Sequence, residues 1–196
     1  MTDMQALGKS IGARLSRLAR EKQVAYEKIL TAFLIERMVA RITTNSELGR
    51  HVIFKGGYVT LRTFGSPRFT IDLDAVVHKL ALNRTIEHLR QVIESTDLHD
   101  GVWFRFESHL DLKLQNEYGG TRMIFRAGLG EVLKDLARAQ IVNFDIGRGD
   151  PVVPAPLDSQ LNQLLGDGGV SWRVYTCESI FAEKIHALVR GNFQSE

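Results

Sequence analysis

The 196-residue sequence lacks the features that would indicate a secreted or membrane protein. Its single cysteine, Cys177, excludes an internal disulfide and a cysteine-based metal cluster, and we expect a small buried side chain there. No apolar run approaches the roughly 20 residues that cross a bilayer, and Met1–Gln5 lacks the start of a signal peptide. With 44% hydrophobic and 24% charged residues, the composition is typical of one globular domain with at most a small appendage. We expect a cytoplasmic protein without a membrane partner.

The formal net charge is only +2, which by itself indicates no partner. Its distribution is uneven, because residues 1–50 carry nine Lys or Arg against five Asp or Glu, whereas the remainder is net negative. Five of these cations fall within two or three helical turns: Lys9, Arg14, Arg17, Arg20 and Lys22. Such a stripe is either the solvated face of an amphipathic helix, which is the commoner case, or a contact for a nucleic-acid backbone.

Asp72 and Asp74 are the most informative residues, because aspartate is disfavoured in β-strands and both lie in an apolar run that continues to Val77. Side chains alternate across a strand, so the two carboxylates point to the same face. They repel each other unless a cation lies between them, and Mg²⁺ favours such oxygen ligands together with substrate phosphates. A solvated surface pair is the commoner origin of D-x-D alone, but the apolar flanks favour a buried strand.

The residues around this pair suit phosphate binding. Gly56 and Gly57 turn a strand into a helix where backbone N–H groups can meet an anion, although a bare Gly pair is as often a turn without a ligand. Lys55 is either a phosphate contact or, slightly favoured, a solvated strand end. Arg68 either binds triphosphate oxygens or pairs with a neighbouring acid. Thr70 shares the strand parity of the two aspartates, so its hydroxyl bonds a phosphate or orients the first aspartate.

Two later residues have a functional and a purely structural interpretation. Asp145, near the end of an apolar segment, is either a third metal-binding carboxylate that helps to take a proton or the cap of the turn that follows. Lys184 lies on a helical segment whose core face we assign to Ile180, Ala187 and Leu188. A lysine there is usually solvated, but as a compact cation it can also neutralise triphosphate charge.

Hydrophobic periodicity predicts helices alternating with strands. The predicted helices are Lys9–Arg41 with a break near Glu21–Ala25, Tyr58–Phe64, Asn83–Thr96, Glu131–Arg138 and Glu178–Arg190. The predicted strands are His51–Phe54, Arg68–Val77, Val102–Ser108, Thr121–Ala127, Gln140–Ile146 and Trp172–Thr176, and Pro151–Gly169 is predicted to be mostly loop. This order indicates an α+β fold, a mixed β-sheet flanked by helices. We assign residues 1–45 to an N-terminal helical segment that packs on a core of residues 46–196.

The motif that runs from Phe54-Lys55-Gly56-Gly57 through Leu61 to Arg68-Phe69-Thr70-Ile71-Asp72-Leu73-Asp74 resembles the AbiEii/AbiGii-type toxin nucleotidyltransferases of the DNA polymerase β-like superfamily. Ile141–Ile146 is similar to the family's later strand, which carries a third carboxylate. Glu178–Leu188 is similar to its lysine-bearing helix. The resemblance therefore extends from about Phe54 to Arg190.

The resemblance implies a nucleotidyltransferase fold and a Mg²⁺-dependent enzyme that moves a nucleoside monophosphate from an NTP to an acceptor, RNA or tRNA. It implies the toxin of a type IV toxin–antitoxin, abortive-infection system, with a cognate antitoxin as partner. The catalytic residues would be Asp72, Asp74, Asp145 and Lys184, and the three aspartates would bind the metal. The nucleotide-binding residues would be Lys55, Gly56, Gly57, Arg68 and Thr70.

The sequence departs from the family after the lysine-bearing helix. The next family motif, K-D-x-x-D, has no match in residues 191–196, so we expect the C-terminal helical region to be missing and apolar surface to be exposed. Two alternative functions stay open: a catalytically silent nucleotide- or RNA-binding module, and a nucleotidyltransferase that modifies a small molecule such as an antibiotic.

Overall fold

The structure, a computed structural model, describes residues 3–66, 70, 72–78, 80–112, 119–148 and 152–193. The helices in this part of the chain are α1 (Met4–Glu21), α2 (Tyr26–Thr44), α3 (Ser46–His51), α4 (Gly56–Thr63), α5 (Leu82–Ser95) and α6 (Cys177–Phe193). The strands are β1 (Val52–Lys55), β2 (Asp72–Val77), β3 (Val102–Leu112), β4 (Gly120–Leu129), β5 (Gln140–Arg148), β6 (Leu157–Asn162) and β7 (Gly169–Val174).

The strands form one mixed sheet in the order β3-β4-β5-β2-β1-β7-β6. Strand β2 is parallel to β5, and β1 is parallel to β7, while the other neighbouring pairs are antiparallel. The parallel β2–β5 pair lies at the centre and brings together segments that are about 70 residues apart in the chain. This sheet with its helices confirms the predicted α+β fold class.

The central strands bury one face and leave the other more open, as period-two alternation requires. Leu73 of β2, Phe125 of β4 and Phe144 of β5 are fully buried in the same hydrophobic core as α1 and α2. Their neighbours in sequence point to the opposite face, which is half-buried and mostly polar along β2, β4 and β5. One face of the sheet therefore holds the core, and the other is available to a ligand.

Helix α2 is the centre of that core, because it is buried on every side from Thr31 to Ile42. Its buried charged side chains, Glu36, Arg37 and Arg41, are all in ion pairs, although Nε of Arg37 has no hydrogen-bond partner among the described residues. The guanidinium of Arg41 donates two hydrogen bonds of 2.9 Å to the carboxylate of Asp100 and one of 2.8 Å to the carbonyl of Val102. Arg41 also lies over the Phe104 ring at 5.1 Å, so it ties α2 to the start of β3.

Most predicted elements are present, with bounds that shift by a few residues, and the predicted break separates α1 from α2. The loop prediction for Pro151–Gly169 is wrong in part, because β6 forms there. Polar β6 has little strand propensity of its own, and its pairing with β7 along the sheet edge decides its conformation.

The predicted helix Glu131–Arg138 is also wrong, since only the last three residues form a 3₁₀ turn, which Asp135 caps. Cys177 is exposed rather than buried.

The N-terminal helices and the sheet share one continuous hydrophobic core. The division of the chain at residue 45 stays a prediction. Among the described helices, none combines the length and the apolarity that crossing a membrane requires.

We expect Arg41→Ala to lower the free energy of unfolding by about 3–5 kcal/mol, because it leaves the largely buried carboxylate of Asp100 without its counterion and removes a hydrogen bond from the carbonyl of Val102. The measurement is urea unfolding at pH 7. The control is Arg90→Ala on α5, which removes a similar bidentate pair with Glu87 from an exposed surface, where the loss should be much smaller. Equal losses in the two variants would contradict the structural importance of the buried pair.

Candidate active site

Four charged side chains form a row across the open face of the sheet. Lys55 of β1 lies opposite Asp74 of β2, Asp74 lies beside Asp145 of β5, and Asp145 lies opposite Arg122 of β4. Residues directly opposite each other on neighbouring strands point to the same side. The backbone register therefore produces a charge row with cations at both ends and two carboxylates between them.

Asp145 and Arg122 form a bidentate ion pair. Nε of Arg122 donates to Oδ1 of Asp145 and Nη2 donates to Oδ2, both at 2.7 Å. Nη2 also lies 4.0 Å from Oδ2 of Asp72. The hydrogen bond to Asp145 raises the pKa of the Arg122 guanidinium, with further contributions from the charges of Asp145, Asp72 and Asp74. Arg122 thus stays charged, and it is the counterion of this carboxylate group.

Asp72 lies one step from the row, on the same face of β2 as Asp74. Its Oδ1 accepts a hydrogen bond of 3.2 Å from the Asn143 amide. Thr70 makes long contacts, of 3.4 and 3.5 Å, with the backbone carbonyl and N–H of Asp72. Its hydroxyl therefore contacts the main chain of Asp72 and not the carboxylate.

Asp74 is the carboxylate with the least compensation. Its pKa is raised to about 6, chiefly by burial and next by the charge of Asp145; Lys55 opposes the shift, and Asp72 and Glu183 add to it. Within the described residues, no hydrogen bond or ion pair satisfies its carboxylate. A half-buried carboxylate beside two others is a favourable position for a cation.

The backbone at the start of α4 passes close to the side chain of Asp74. Gly56 has a φ of +73°, and a Cβ added there would collide with Oδ2 of Asp74. A Cβ on Gly57 would lie 3.1 Å from Oγ1 of Thr70. Glycine is needed at position 56 both for its conformation and for space. The two glycines place the free backbone N–H groups of the α4 N-terminus close to the carboxylates.

Helix α6 reaches the row through Glu183, which sequence reasoning missed. Its Oε1 lies 2.6 Å from Nζ of Lys55, which is also 5.6 Å from the centre of the Tyr175 ring. Lys55 is therefore paired and largely buried at the end of β1, and the prediction of a solvated strand end is wrong.

Lys184 is exposed, one helical turn after the buried Ile180, and makes no hydrogen bond or ion pair with the described residues. Leu188 is 69% exposed and does not belong to a core face.

The structure brings together Asp72, Asp74 and Asp145 with Lys55, and places Thr70 and the two glycines beside them. Arg68 lies outside the described residues. The functional roles of all these residues, and of Lys184, stay predictions.

The sequence analysis does not identify three polar residues as members of this site: Arg122, Asn143 and Glu183. Asn143 shares the strand parity of Asp145, so period-two alternation alone identifies it as a neighbour. Arg122 and Glu183 carry no such signal, because only the pairing of β4 with β5 and the docking of α6 bring them to the carboxylates.

The residues fit a divalent cation at Asp72 and Asp74. Both present carboxylate oxygens on one face, and the half-buried carboxylate of Asp74 lacks a hydrogen-bond donor in the described part of the chain. That part contains no group of three His, Cys, Asp or Glu in metal-binding range. Asp145 is held by Arg122 instead. Oxygen donors of this kind favour Mg²⁺ over softer metals.

A separate open cleft of about 580 Å³ lies between α3 and the β6–β7 edge, and its lining includes Arg50, Asp158 and Arg173. Arg50 precedes β1, whereas Lys55 ends it. The cleft and the carboxylates are therefore at opposite ends of β1. Charge chemistry, and not cavity size, identifies the candidate active site.

The family model described as "Nucleotidyl transferase AbiEii toxin, Type IV TA system" matches residues 37–195. Among solved structures, the chain is similar to MenT4, a nucleotidyltransferase toxin from Mycobacterium tuberculosis H37Rv, with 18% identity and a TM-score of 0.59 over 89% of this chain and 57% of that one. It is also similar to JHP933 from Helicobacter pylori, with 17% identity and a TM-score of 0.50 over 82% of this chain and 57% of that one. No curated protein matches the sequence.

The chain thus spans just over half the length of these two structures. At such identities the likeness shows the fold. It supports the assignment of the seven-stranded sheet and its helices to a nucleotidyltransferase-like architecture.

We expect Asp74→Asn to stabilise the metal-free protein at pH 7–8 by about 2–3 kcal/mol, because the native pKa of about 6 lies above that of an unfolded aspartate, near 3.9. Native Asp74 binds its proton more tightly than unfolded Asp74. Its ionisation therefore destabilises the fold as the pH rises from about 4 through 6, and the advantage of the variant should disappear below pH 4.

Urea unfolding in EDTA from pH 4 to 8 measures this difference, with Asp111→Asn on the exposed part of β3 as the control. Added Mg²⁺ should raise the melting temperature of the unmodified protein and should have a much smaller effect on Asp74→Asn. A variant that is less stable at every pH would contradict the prediction.

Proposed function

The chain belongs to the AbiEii family of nucleotidyltransferase toxins, and on that premise we propose that it transfers a nucleoside monophosphate from an NTP to the hydroxyl of an acceptor. One observation carries the proposal: Asp72, Asp74 and Asp145 share one sheet face beside the Gly56-Gly57 start of α4. Carboxylates that can hold a cation next to free backbone N–H groups suit a bound triphosphate.

In the proposed reaction the acceptor oxygen forms a bond to the α-phosphorus, and the bond from that phosphorus to the bridging oxygen of the β-phosphate breaks. Pyrophosphate leaves, and the hydroxyl proton passes to a carboxylate, which we assign to Asp145. Asp72 and Asp74 would hold Mg²⁺, joined by Asp145 when that carboxylate is free. Bound Mg²⁺ would neutralise charge on the phosphates and lower the pKa of the attacking hydroxyl.

The residues around the carboxylates would orient the triphosphate. We assign the backbone N–H groups of Gly56 and Gly57 to the phosphates that leave, with Thr70 beside them. Lys55 supplies positive charge next to Asp74, although Glu183 shares it. Lys184 is exposed on the same helix as Glu183, where its ammonium is available to phosphate oxygens. Arg68 belongs to the same proposed set.

We propose RNA, tRNA included, as the acceptor and an antitoxin as the partner, in the cytoplasm. The basic stripe of α1 is exposed to solvent, and Gly8 of α1 packs on Gly130 after the end of β4. Arg122 lies eight residues earlier on that strand, roughly 25 Å away at the rise of a β-strand. An acceptor that touches both must be extended, which favours a polynucleotide over a small antibiotic.

A silent nucleotide- or RNA-binding module is the second candidate. It is favoured by the pairing of Asp145 with Arg122, which leaves the described carboxylates short of a three-ligand metal group. Such a protein would bind nucleotide and show no turnover.

We expect transfer of label from α-³²P-labelled NTPs, each tested in turn with Mg²⁺, to total RNA. Asp74→Ala should lower transfer at least about a hundredfold, because it removes a proposed ligand of the cation, while Asp111→Ala should leave it unchanged. Nucleotide binding without transfer to RNA would reject the polynucleotide acceptor. Transfer to an aminoglycoside instead would identify the small-molecule reaction, and no transfer at all would favour the silent module.

We expect Lys184→Ala to raise the KM for the NTP about tenfold, because one cation that faces the phosphates is lost. The melting temperature should not change, since Lys184 is exposed and makes no hydrogen bond or ion pair with the described residues. Lys134→Ala, at another exposed lysine, is the control. Steady-state kinetics with the preferred NTP measure the effect, and an unchanged KM would remove Lys184 from the proposed nucleotide site.

A further inference from the structure

Arg122 holds both oxygens of a carboxylate that the proposed reaction needs. Its Nε and Nη2 each donate a hydrogen bond of 2.7 Å to a different oxygen of Asp145. A carboxylate engaged in this way has its inner lone pairs occupied on both oxygens. Asp145 therefore has only its outer lone pairs left for a cation that lies between it and Asp74, and the charge of the guanidinium opposes the binding of that cation.

The surroundings of Arg122 allow its guanidinium to leave Asp145. Its side chain is 32% exposed on the open face, and its acceptors in the described part of the chain are carboxylates only. Arg41 differs in both respects, because it is buried and also donates to the carbonyls of Arg37 and Val102. Arg41 is a fixed structural arginine, whereas the described partners of the Arg122 guanidinium are carboxylates, which a phosphate can replace.

Electrostatics give the pair a function in the absence of ligand. Without Arg122, the three carboxylates of Asp72, Asp74 and Asp145 would face one another, with Lys55 as their neighbouring cation and that lysine already paired with Glu183. Carboxylates that are neighbours on one sheet face repel one another, and this repulsion destabilises the fold. Arg122 offsets this repulsion from the β4 side of Asp145, next to the space that a cation between Asp145 and Asp74 would occupy.

We propose that Arg122 and the divalent cation compete for Asp145, and that the nucleotide resolves this competition by taking the guanidinium onto its phosphates. Arg122 is then a nucleotide-binding residue that is stored on Asp145 in the free protein. The inference rests on the proposed function, and it adds a coupling: nucleotide binding exposes the third carboxylate to the cation.

The chemistry of the guanidinium supports the exchange. Its planar fork matches the oxygens of a phosphate as well as those of a carboxylate, so the same two donors can bind either. The triphosphate brings several negative charges to the α4 N-terminus, beside Asp74. An arginine that already lies 4.0 Å from Asp72 needs only a side-chain rotation to follow that charge.

The first test measures Mg²⁺ binding without nucleotide, by calorimetry and by the shift in melting temperature. We expect Arg122→Gln to bind Mg²⁺ about tenfold more tightly than the unmodified protein, because a competing charge close to the site is gone. Arg126→Gln is the matched control. Arg126 lies on the same strand and makes the same bidentate contact, with two hydrogen bonds of 2.9 Å, but to Glu107 on β3.

The second test measures binding of an α,β-methylene NTP analogue with and without Mg²⁺. The unmodified protein should bind the analogue and Mg²⁺ cooperatively. Arg122→Gln should bind the analogue about tenfold more weakly and lose most of that cooperativity. Arg126→Gln should behave like the unmodified protein. Arg122→Lys, which keeps the charge but lacks the fork, should give intermediate values for both ligands, and it replaces the glutamine variant if that one does not fold.

Unchanged Mg²⁺ affinity in Arg122→Gln, or equal effects of the two glutamine variants, would overturn the inference and leave a structural ion pair. These binding measurements do not depend on turnover. If they succeed while no acceptor is labelled, the proposed reaction fails and the coupled site stands. If Asp74→Ala abolishes transfer but Arg122→Gln alters neither affinity, the reaction stands and the coupling fails.

Discussion

The repulsion among three carboxylates on one sheet face is the constraint on which the rest of the site depends. Asp72 and Asp74 are forced together by the period of their strand, and the parallel pairing of β2 with β5 adds Asp145. The neighbouring side chains and backbone reduce or accommodate this negative charge. Arg122 neutralises one carboxylate, Asn143 donates to a second, and the third is left with a raised pKa beside a glycine that leaves it room.

The alternation of side chains across the sheet separates these charged groups from the apolar core. Alternate side chains on β2, β4 and β5 enter the core with α2 or line the open face. The buried guanidinium of Arg41 in α2 is paired with Asp100 and with two carbonyls, so this part of the core gains rigidity without an uncompensated charge. The open face can then tolerate the electrostatic conflict that binding of a cation and a nucleotide would relieve.

Sequence patterns predict the fold class and the central carboxylates, because these follow from local rules. Period two places Asp72 with Asp74, and the Gly pair marks the turn into α4. Asp145 is found as a candidate, yet its pairing with Arg122 depends on strand order, which no local pattern contains. Glu183 is missed for the same reason. Its neighbour Lys184 is a candidate nucleotide-binding residue only through the family resemblance. β6 is missed because its polar residues acquire strand structure only from β7.

The pairing of residues distant in the chain has a consequence during synthesis. Asp72 and Asn143 are 71 positions apart, and Lys55 and Glu183 are 128 apart. Contacts of such separation carry a large loop-closure cost and form after local structure. A growing chain therefore has its helices and first hairpins long before it has the charge row. The row forms only once β5 has left the ribosome, and its contact with Glu183 forms only once α6 has, so the nascent protein should lack its candidate active site until then.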